Sequence, residues 1–103
     1  NVMKKVLLCC GSGASSGFMA NNAMTAAKKR GMDISVRACS ESEVEDYLDE
    51  VDLVMVGPHF QHRLAAIQDI AEEYDVPVVL IDGEVYGSLN GEGLLDQALK
   101  SLK

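Results

Sequence analysis

The sequence has no tryptophan, only two phenylalanines and three tyrosines, so its core must be assembled from Val, Leu, Ile, Ala and Met. Side chains of that size suit thin layers of sheet and helix in close contact better than a large ligand cavity. Cysteines number three, an odd set with no disulfide framework in it. Cys9 and Cys10 are adjacent and lack metal-ligand spacing, and Cys39 has no nearby Cys or His to complete a CxxC-type site. Basic residues are also few: nine Lys and Arg against sixteen Asp and Glu leave a net charge of −7. Apart from Lys28-Lys29-Arg30 there is no cationic run, so a nucleic-acid partner, which needs a stripe of positive charge against its phosphates, is not expected. Long apolar runs are missing too. Val76 to Ile81 is interrupted by Pro77 and is too short to span a bilayer, and Val6 to Cys10 is too short for a signal peptide. These absences point to a reducing, cytoplasmic setting in which a thiol can serve chemistry.

What is present fits one domain over residues 1–103: 48% hydrophobic and 24% charged, ordinary values for a globular fold of this length. Asn1 and Val2 precede Met3-Lys4-Lys5 and are given no role. Lys4 to Cys10 reads as a strand buried on both faces, ended by Gly11-Ser12-Gly13. A helix follows from Ser15 or Ser16 to Arg30. Its inward stripe is expected to hold Phe18, Met19, Asn22, Ala23, Ala26 and Ala27, with Lys28-Lys29-Arg30 at the end where cations are favoured and Gly31 as the stop. Asp33 to Cys39 alternates as a second strand. Ser40-Glu41-Ser42-Glu43 has the look of an N-cap with early acids, opening a short helix to Tyr47 or Leu48.

Val51 to Val56 is a third strand, halted by Gly57-Pro58. A helix is expected from about His59 to Tyr74 with Leu64, Ile67, Ile70 and Ala71 inward. Val78 to Ile81 makes a fourth strand, Asp82 to Leu89 a loop or single turn, and Gly91 or Glu92 to Leu102 a final helix. Strand and helix alternate four times, which predicts an α/β fold with a four-stranded parallel sheet and helices on both faces. Right-handed crossovers give the order 2-1-3-4. Ligands of such sheets bind beyond the C-terminal strand ends, where the strand order reverses, and Cys10 heads the loop at that point.

In the loop Gly11-Ser12-Gly13-Ala14-Ser15-Ser16-Gly17 every residue is Gly, Ala or Ser. Small residues let the backbone wrap closely so that successive N–H groups converge on an anion, and the loop runs into a helix N-terminus, which also favours negative charge. Donors so placed should lower the pKa of a thiol at the mouth of the ring. A nucleophile beside a phosphate cradle is what transfer through a thiophosphate requires. By itself a Gly/Ser-rich loop reads first as a flexible turn beside a buried Cys; a Cys at the strand end, followed by a small-residue loop into a helix, makes the two readings even. Cys9, one residue earlier and pointing to the opposite face, is assigned to the core, and Cys39 to packing.

Val6-Leu7-Leu8-Cys9-Cys10 with its Gly-Ser-Gly-Ala-Ser-Ser loop resembles the active-site region of enzyme IIB components of the lactose/cellobiose (β-glucoside) type of the sugar phosphotransferase system. Asp52-Leu53-Val54-Met55-Val56-Gly57-Pro58 resembles the family's third strand and Gly-Pro turn. Ile81-Asp82, Tyr86-Gly87 and Asn90-Gly91-Glu92-Gly93 resemble its last loop and final helix. The resemblance covers nearly the whole chain in order, and in that family the phosphorylated Cys closes the first strand, the position Cys10 holds here. It implies a phosphocarrier: a phosphohistidine on enzyme IIA gives its phosphoryl group to Cys10, and membrane enzyme IIC presents the sugar that accepts it. Cofactors and metals are not implied, and a monomer suits a carrier that meets two partners in turn at one rim.

The fold is also similar to low-molecular-weight tyrosine phosphatases, which place Arg six residues after the catalytic Cys. Here that position is Ser16. An Arg there grips two phosphate oxygens and stabilises the transition state, so its absence favours a carrier whose thiophosphate must survive over a thiol phosphatase or an arsenate-reductase-like enzyme. A regulatory binding module is a third reading. His59, Asp82 and Tyr86 are candidate rim or partner contacts. Each has a plainer alternative: a solvated helix-start histidine (as for His62, three residues on), a turn-capping Asp expected to point away from a phosphocysteine, and ring packing. The acids Glu41, Glu43, Glu45 and Asp46 read as a solvated helix face. Sugar identity, whether cellobiose, chitobiose, lactose or another β-glucoside, is not encoded in these features.

Overall fold

A computed structural model describes residues 3–10 and 13–102, without the side chains of residues 13–16. Four strands, β1 (Lys4–Cys9), β2 (Ile34–Cys39), β3 (Leu53–Val56) and β4 (Val78–Leu80), form one sheet in the order β2-β1-β3-β4. All three pairings are parallel, in registers that set Cys9 beside Cys39 and beside Val56. This is the order the alternating pattern predicts.

The central strands are apolar throughout because both their faces are covered: Val6 to Cys9 and Leu53 to Val56 are at most 2% exposed. Successive side chains alternate between faces. Val6, Leu8, Leu53 and Met55 join one core layer with Met19, Ala23, Ala26 and Ala27 of α1 (Gly13–Lys29) and Leu94, Leu95 and Ala98 of α5 (Gly91–Ser101). Leu7, Cys9, Val54 and Val56 join the other, with Val44 of α2 (Val44–Tyr47) and Ile67 and Ala71 of α3 (Leu64–Glu72).

The helix α1 begins two residues before the earlier of the expected starts. Its end is where Lys28-Lys29-Arg30-Gly31 predicts: Met32 N–H donates to Ala27 O (2.9 Å) and Gly31 N–H to Lys28 O (3.1 Å), with Gly31 at φ +68°. This double bond pattern is the αL stop that glycine accepts without steric cost. Phe18 departs from expectation. It is 62% exposed, because at 100° per residue it lies roughly 140° from the middle of the Met19, Ala20, Ala23, Ala26, Ala27 stripe. Asn22 is exposed as well, and its amide donates to Leu89 O (2.9 Å), tying α1 to the chain ahead of α5.

The expected helix from His59 to Tyr74 is interrupted. Pro58–Arg63 forms tighter 3-10 turns with Phe60 off helical geometry (φ −111°, ψ 22°), and only Leu64–Glu72 is α-helical. The cause is local: Gly57 is extended and Pro58 sits in the first turn, where its missing N–H costs nothing but sets a sharp entry. Within it Ile67 and Ala71 stay inward, while Ile70 is 36% exposed, against expectation, and Leu64 is half-buried. Between β4 and α5, where a loop or single turn is expected, a five-residue helix forms, α4 (Gly83–Gly87).

Candidate active site

The C-terminal ends of the strands are laced together at one level. Cys10 N–H donates to Cys39 O (3.2 Å), Gly57 N–H to Cys9 O (2.9 Å), and Ile81 N–H to Val56 O (2.8 Å). Cys10 therefore leaves the sheet where β1 lies between β2 and β3, the reversal point of the strand order, and α1 opens three residues later at Gly13. The first N–H groups of a helix have no partner within it and carry the positive end of its dipole. Gly11 and Ser12 lie outside the described residues, as do the side chains of Ala14, Ser15 and Ser16; the expected phosphate-binding role of the loop from Gly11 to Gly17 falls largely on them.

Gly57, at the end of β3, forms the floor under the thiol. A Cβ at this position would stand 3.0 Å from Cys10 Sγ and 3.6 Å from Cys10 Cβ, so the absent side chain is what lets the sulfur lie against the Gly57 main chain. Tyr86, on α4, lies close enough to Cys10 for each group to shift the other's ionisation. α4 is held by Asp82, whose Oδ1 accepts from Glu84 N–H (2.9 Å) and Val85 N–H (3.3 Å) as an N-cap. Asp82 N–H in turn donates to Gln97 Oε1 of α5 (3.0 Å). The Asp82 carboxylate thus caps the helix that carries Tyr86. The Tyr86 ring packs on the α1/α5 core layer and meets His59 edge-on, with centroids 6.0 Å apart at 83°.

Under this cover Cys10 is only 3% exposed. Burial raises its thiol pKa, while Tyr86 and the Gly57 main chain oppose the rise. The net direction corrects the expectation of a lowered pKa: taking a thiolate out of water outweighs the donors that favour it. Among the described residues no hydrogen-bond donor opposes burial at the other two thiols, only the charges of Arg63 at Cys9 and Arg37 at Cys39. Burial pushes Cys9 up to about 12 and Cys39 up to about 11, so both stay protonated packing groups. Tyr86 is itself pushed up to about 12, by burial first and then by Cys10.

Sequence reasoning placed Tyr86 only on the rim and did not connect Gly57 with the sulfur. The Gly57-Pro58 turn at a strand end was the available signal for the second. His59 and His62 do not form a pair: His59 is exposed beside Tyr86, and His62 stacks on Phe60 (5.8 Å, 26°). Among the described residues no group of three or more His, Cys, Asp or Glu could hold a metal ion. The acidic segment is engaged in structure. Glu43 Oε1 accepts from Ser40 N–H (3.1 Å) and Ser40 Oγ (2.9 Å), which holds its carboxyl below the usual range, and Glu41 pairs with Arg63. A groove of about 560 Å³, bordered by Asp82, Glu84, Ser88, Asn90, Asp96 and Lys100, does not include Cys10. No helix among the described residues is long and apolar enough to cross a membrane.

The site is thus one buried cysteine at a strand end, ahead of a helix N-terminus, with a glycine against its sulfur and a tyrosine nearby. Comparison with known proteins gives the family and the fold. The oligo-beta-mannoside-specific EIIB component of Bacillus subtilis (strain 168) is 29% identical over 97 residues, 94% of each chain. The lactose-specific EIICB component of Lacticaseibacillus casei is 29% identical over 94 residues, 91% of this chain and 16% of that longer protein. In fold, the lactose-specific IIB domain of Streptococcus pneumoniae superposes with a TM-score of 0.89 at 19% identity, over 99% of this chain and 100% of the other. The cellobiose-specific IIB protein of Borrelia burgdorferi gives 0.81 at 24% identity, over 98% and 93%. Residues 5–97 match the sequence model of the family described as "PTS system, Lactose/Cellobiose specific IIB subunit", and the chain belongs to that family, whose members act in phosphoryl transfer to sugar.

Proposed function

We propose that the protein carries a phosphoryl group on Cys10, taking it from a phosphohistidine of an enzyme IIA and passing it to a sugar held by a membrane enzyme IIC. The observation that supports this most is the position of Cys10: at the strand-order reversal, one short step before the N-terminus of α1, with Gly57 against its sulfur. Among the described residues, Cys10 is the thiol with main-chain help for its thiolate, from Gly57, while Cys9 and Cys39 have only the charges of Arg63 and Arg37. The residues after it offer small side chains and hydroxyls but no Arg. A thiophosphate there would lack the cation that promotes hydrolysis in thiol phosphatases, and shielding from bulk water would prolong its life.

The fused relative, which joins an IIC part to an IIB part, supports a membrane IIC as the downstream partner, with this chain working on its cytoplasmic side as part of the proposal. The named specificities of the relatives, oligo-β-mannoside, lactose and cellobiose, support a β-linked di- or oligosaccharide as acceptor. Gly11, Ser12, Gly13, Ala14, Ser15, Ser16 and Gly17 are the proposed phosphate cradle, and the carrier works as a monomer.

Membrane vesicles bearing a cognate IIC, supplied with phosphoenolpyruvate, the general phosphotransferase proteins and IIA, test the reading. Adding this chain should start formation of sugar phosphate, and adding Cys10→Ser should not. Steady hydrolysis of a small aryl phosphate by the wild type, lost in Cys10→Ser, would identify a phosphatase instead.

A further inference from the structure

Charge is spread unevenly over this acidic chain. All sixteen Asp and Glu lie outside three stretches, residues 6–27, 53–62 and 85–91, which hold no Lys or Arg either. The fold brings these stretches together around Cys10. Gly57 of the second lies against the Cys10 sulfur, where a Cβ would stand at 3.0 Å. His59 of the second meets Tyr86 of the third, with ring centroids 6.0 Å apart. The third returns to the first at Asn22, whose amide donates to Leu89 O (2.9 Å) and whose main chain packs on Gly91. These contacts close a ring. The charges that flank it in sequence are turned away or engaged. Asp52 accepts from Lys5 N–H (2.9 Å) at the opposite end of the sheet, Arg63 pairs with Glu41, and Asp82 and Glu84 border the groove that leaves out Cys10.

Phe18 stands on this uncharged face. It is 62% exposed, more than any other large hydrophobic side chain among the described residues. It lies fewer than two turns from the start of α1, about 8 Å along the helix axis. Asn21 and Asn22, one turn further on, are exposed as well. A lone exposed apolar residue needs no explanation. One beside the reacting thiol, on a face cleared of carboxylates in a chain of net charge −7, does.

We propose that this face is the docking surface for the phosphorylated donor, enzyme IIA, with Phe18 as its apolar anchor. This rests on the carrier reading above, and charge selects the occupant. A phosphoryl group near neutral pH brings roughly two negative charges. A surface as acidic as the rest of this chain would repel it across about 10 Å at ordinary salt. Clearing carboxylates from the approach removes that barrier, and the histidines on the face, His59 and His62, can add only positive charge. Affinity is then left to an uncharged side chain, and an aromatic near the centre of a contact commonly carries a large share of its energy. The membrane partner meets Cys10 when the phosphoryl group is already on the sulfur, so it brings no such charge with it.

The test is single-turnover transfer from phosphorylated IIA, read by intact mass over a range of IIA concentrations and of salt. Phe18→Ser in the full chain should lower the second-order rate about tenfold while the rate at saturating IIA is kept. Its melting temperature should stay near that of the wild type, because the ring is already in water. Asn21→Asp should slow the second-order rate by about two- to threefold at low salt and Asn21→Lys should raise it, both differences fading by about 0.5 M salt. A steric effect at this position would have one sign in both variants and ignore salt. An unchanged second-order rate in folded Phe18→Ser overturns the proposal, and so does a response at Asn21 that is the same for both charges. The Asn21 pair decides alone should Phe18→Ser fail to fold. If Phe18→Ser slows only the later transfer to sugar in vesicles bearing IIC, the face belongs to the membrane partner and the proposal is likewise overturned. A wild type that takes no phosphate from any IIA sinks the carrier reading itself, and the docking surface falls with it.

Discussion

Gly57 and Cys10 are 47 positions apart in sequence and touching in space, and that contact governs the site at the scale of single residues. Gly57 has φ −63° and ψ 148°, a conformation that alanine adopts freely, so a substitution there is judged on space alone. The added methyl would lie 3.0 Å from the Cys10 sulfur and must push it by a few tenths of an ångström. Gly57→Ala is therefore expected to leave the melting temperature nearly unchanged and to slow phosphoryl transfer from IIA by about tenfold or more, since reacting atoms tolerate little misplacement. Stopped-flow or quench transfer beside a thermal melt separates the two effects. Cys10 itself was legible in sequence, because a Cys at a strand end before a small-residue loop is a local pattern. Tyr86 and Gly57 were not legible as its neighbours. Their contacts come from elements that only the folded sheet brings together, and the sign of the Cys10 pKa shift depends on burial that spacing does not reveal.

At the scale of elements, the contact between α1 and α5 holds α1, the helix that follows Cys10, in place. Gly91, the first residue of α5, lies so close to α1 that a Cβ would fall 2.3 Å from the Asn22 carbonyl carbon and oxygen. Alanine would improve helix propensity by up to about 1 kcal/mol, but overpacking against backbone costs about 3 kcal/mol, so the clash wins. Gly91→Ala should lower the urea midpoint clearly at constant m-value. Arg30 joins the same two helices by donating to Glu92 Oε1 (3.0 Å) and Asp96 Oδ1 (2.8 Å). These groups are well exposed, so Arg30→Ala should cost little, and the difference from wild type should shrink as salt is added. Strand and helix order was readable from the alternation of apolar runs with 3.6-residue stripes. The breaks were less so. Pro58 and Phe60 turn the start of the expected third long helix into 3-10 geometry, and α4 is too short for periodicity to announce it although Asp82 provides its cap.

For the whole molecule, the three thiols at one end of the sheet couple stability to alkaline pH. Cys9 titrates at about 12 and Cys39 at about 11 in the folded chain, against 9.0 for an ordinary thiol. A raised folded pKa means that between the two values the native state holds protons the unfolded state has lost, so stability falls as pH rises. The contribution is intact below about 9 and is lost progressively toward 11 to 12. Urea unfolding across this range should show the decline, and Cys39→Ala should make it shallower than in the wild type. An equally steep decline in the variant would mean that other groups set it. The layering that buries these thiols, helices on both faces of a thin sheet, follows from a composition without tryptophan and rich in small aliphatics.

The central claim, that Cys10 and no other residue carries the phosphoryl group, is tested most directly by intact mass. The chain is incubated at neutral pH with phosphoenolpyruvate, the general phosphotransferase proteins and IIA, alongside Cys10→Ser and Cys9→Ser. One added phosphate in the wild type and in Cys9→Ser, and none in Cys10→Ser, is the predicted result. Phosphate retained by Cys10→Ser, or lost in Cys9→Ser with its fold intact, would contradict it.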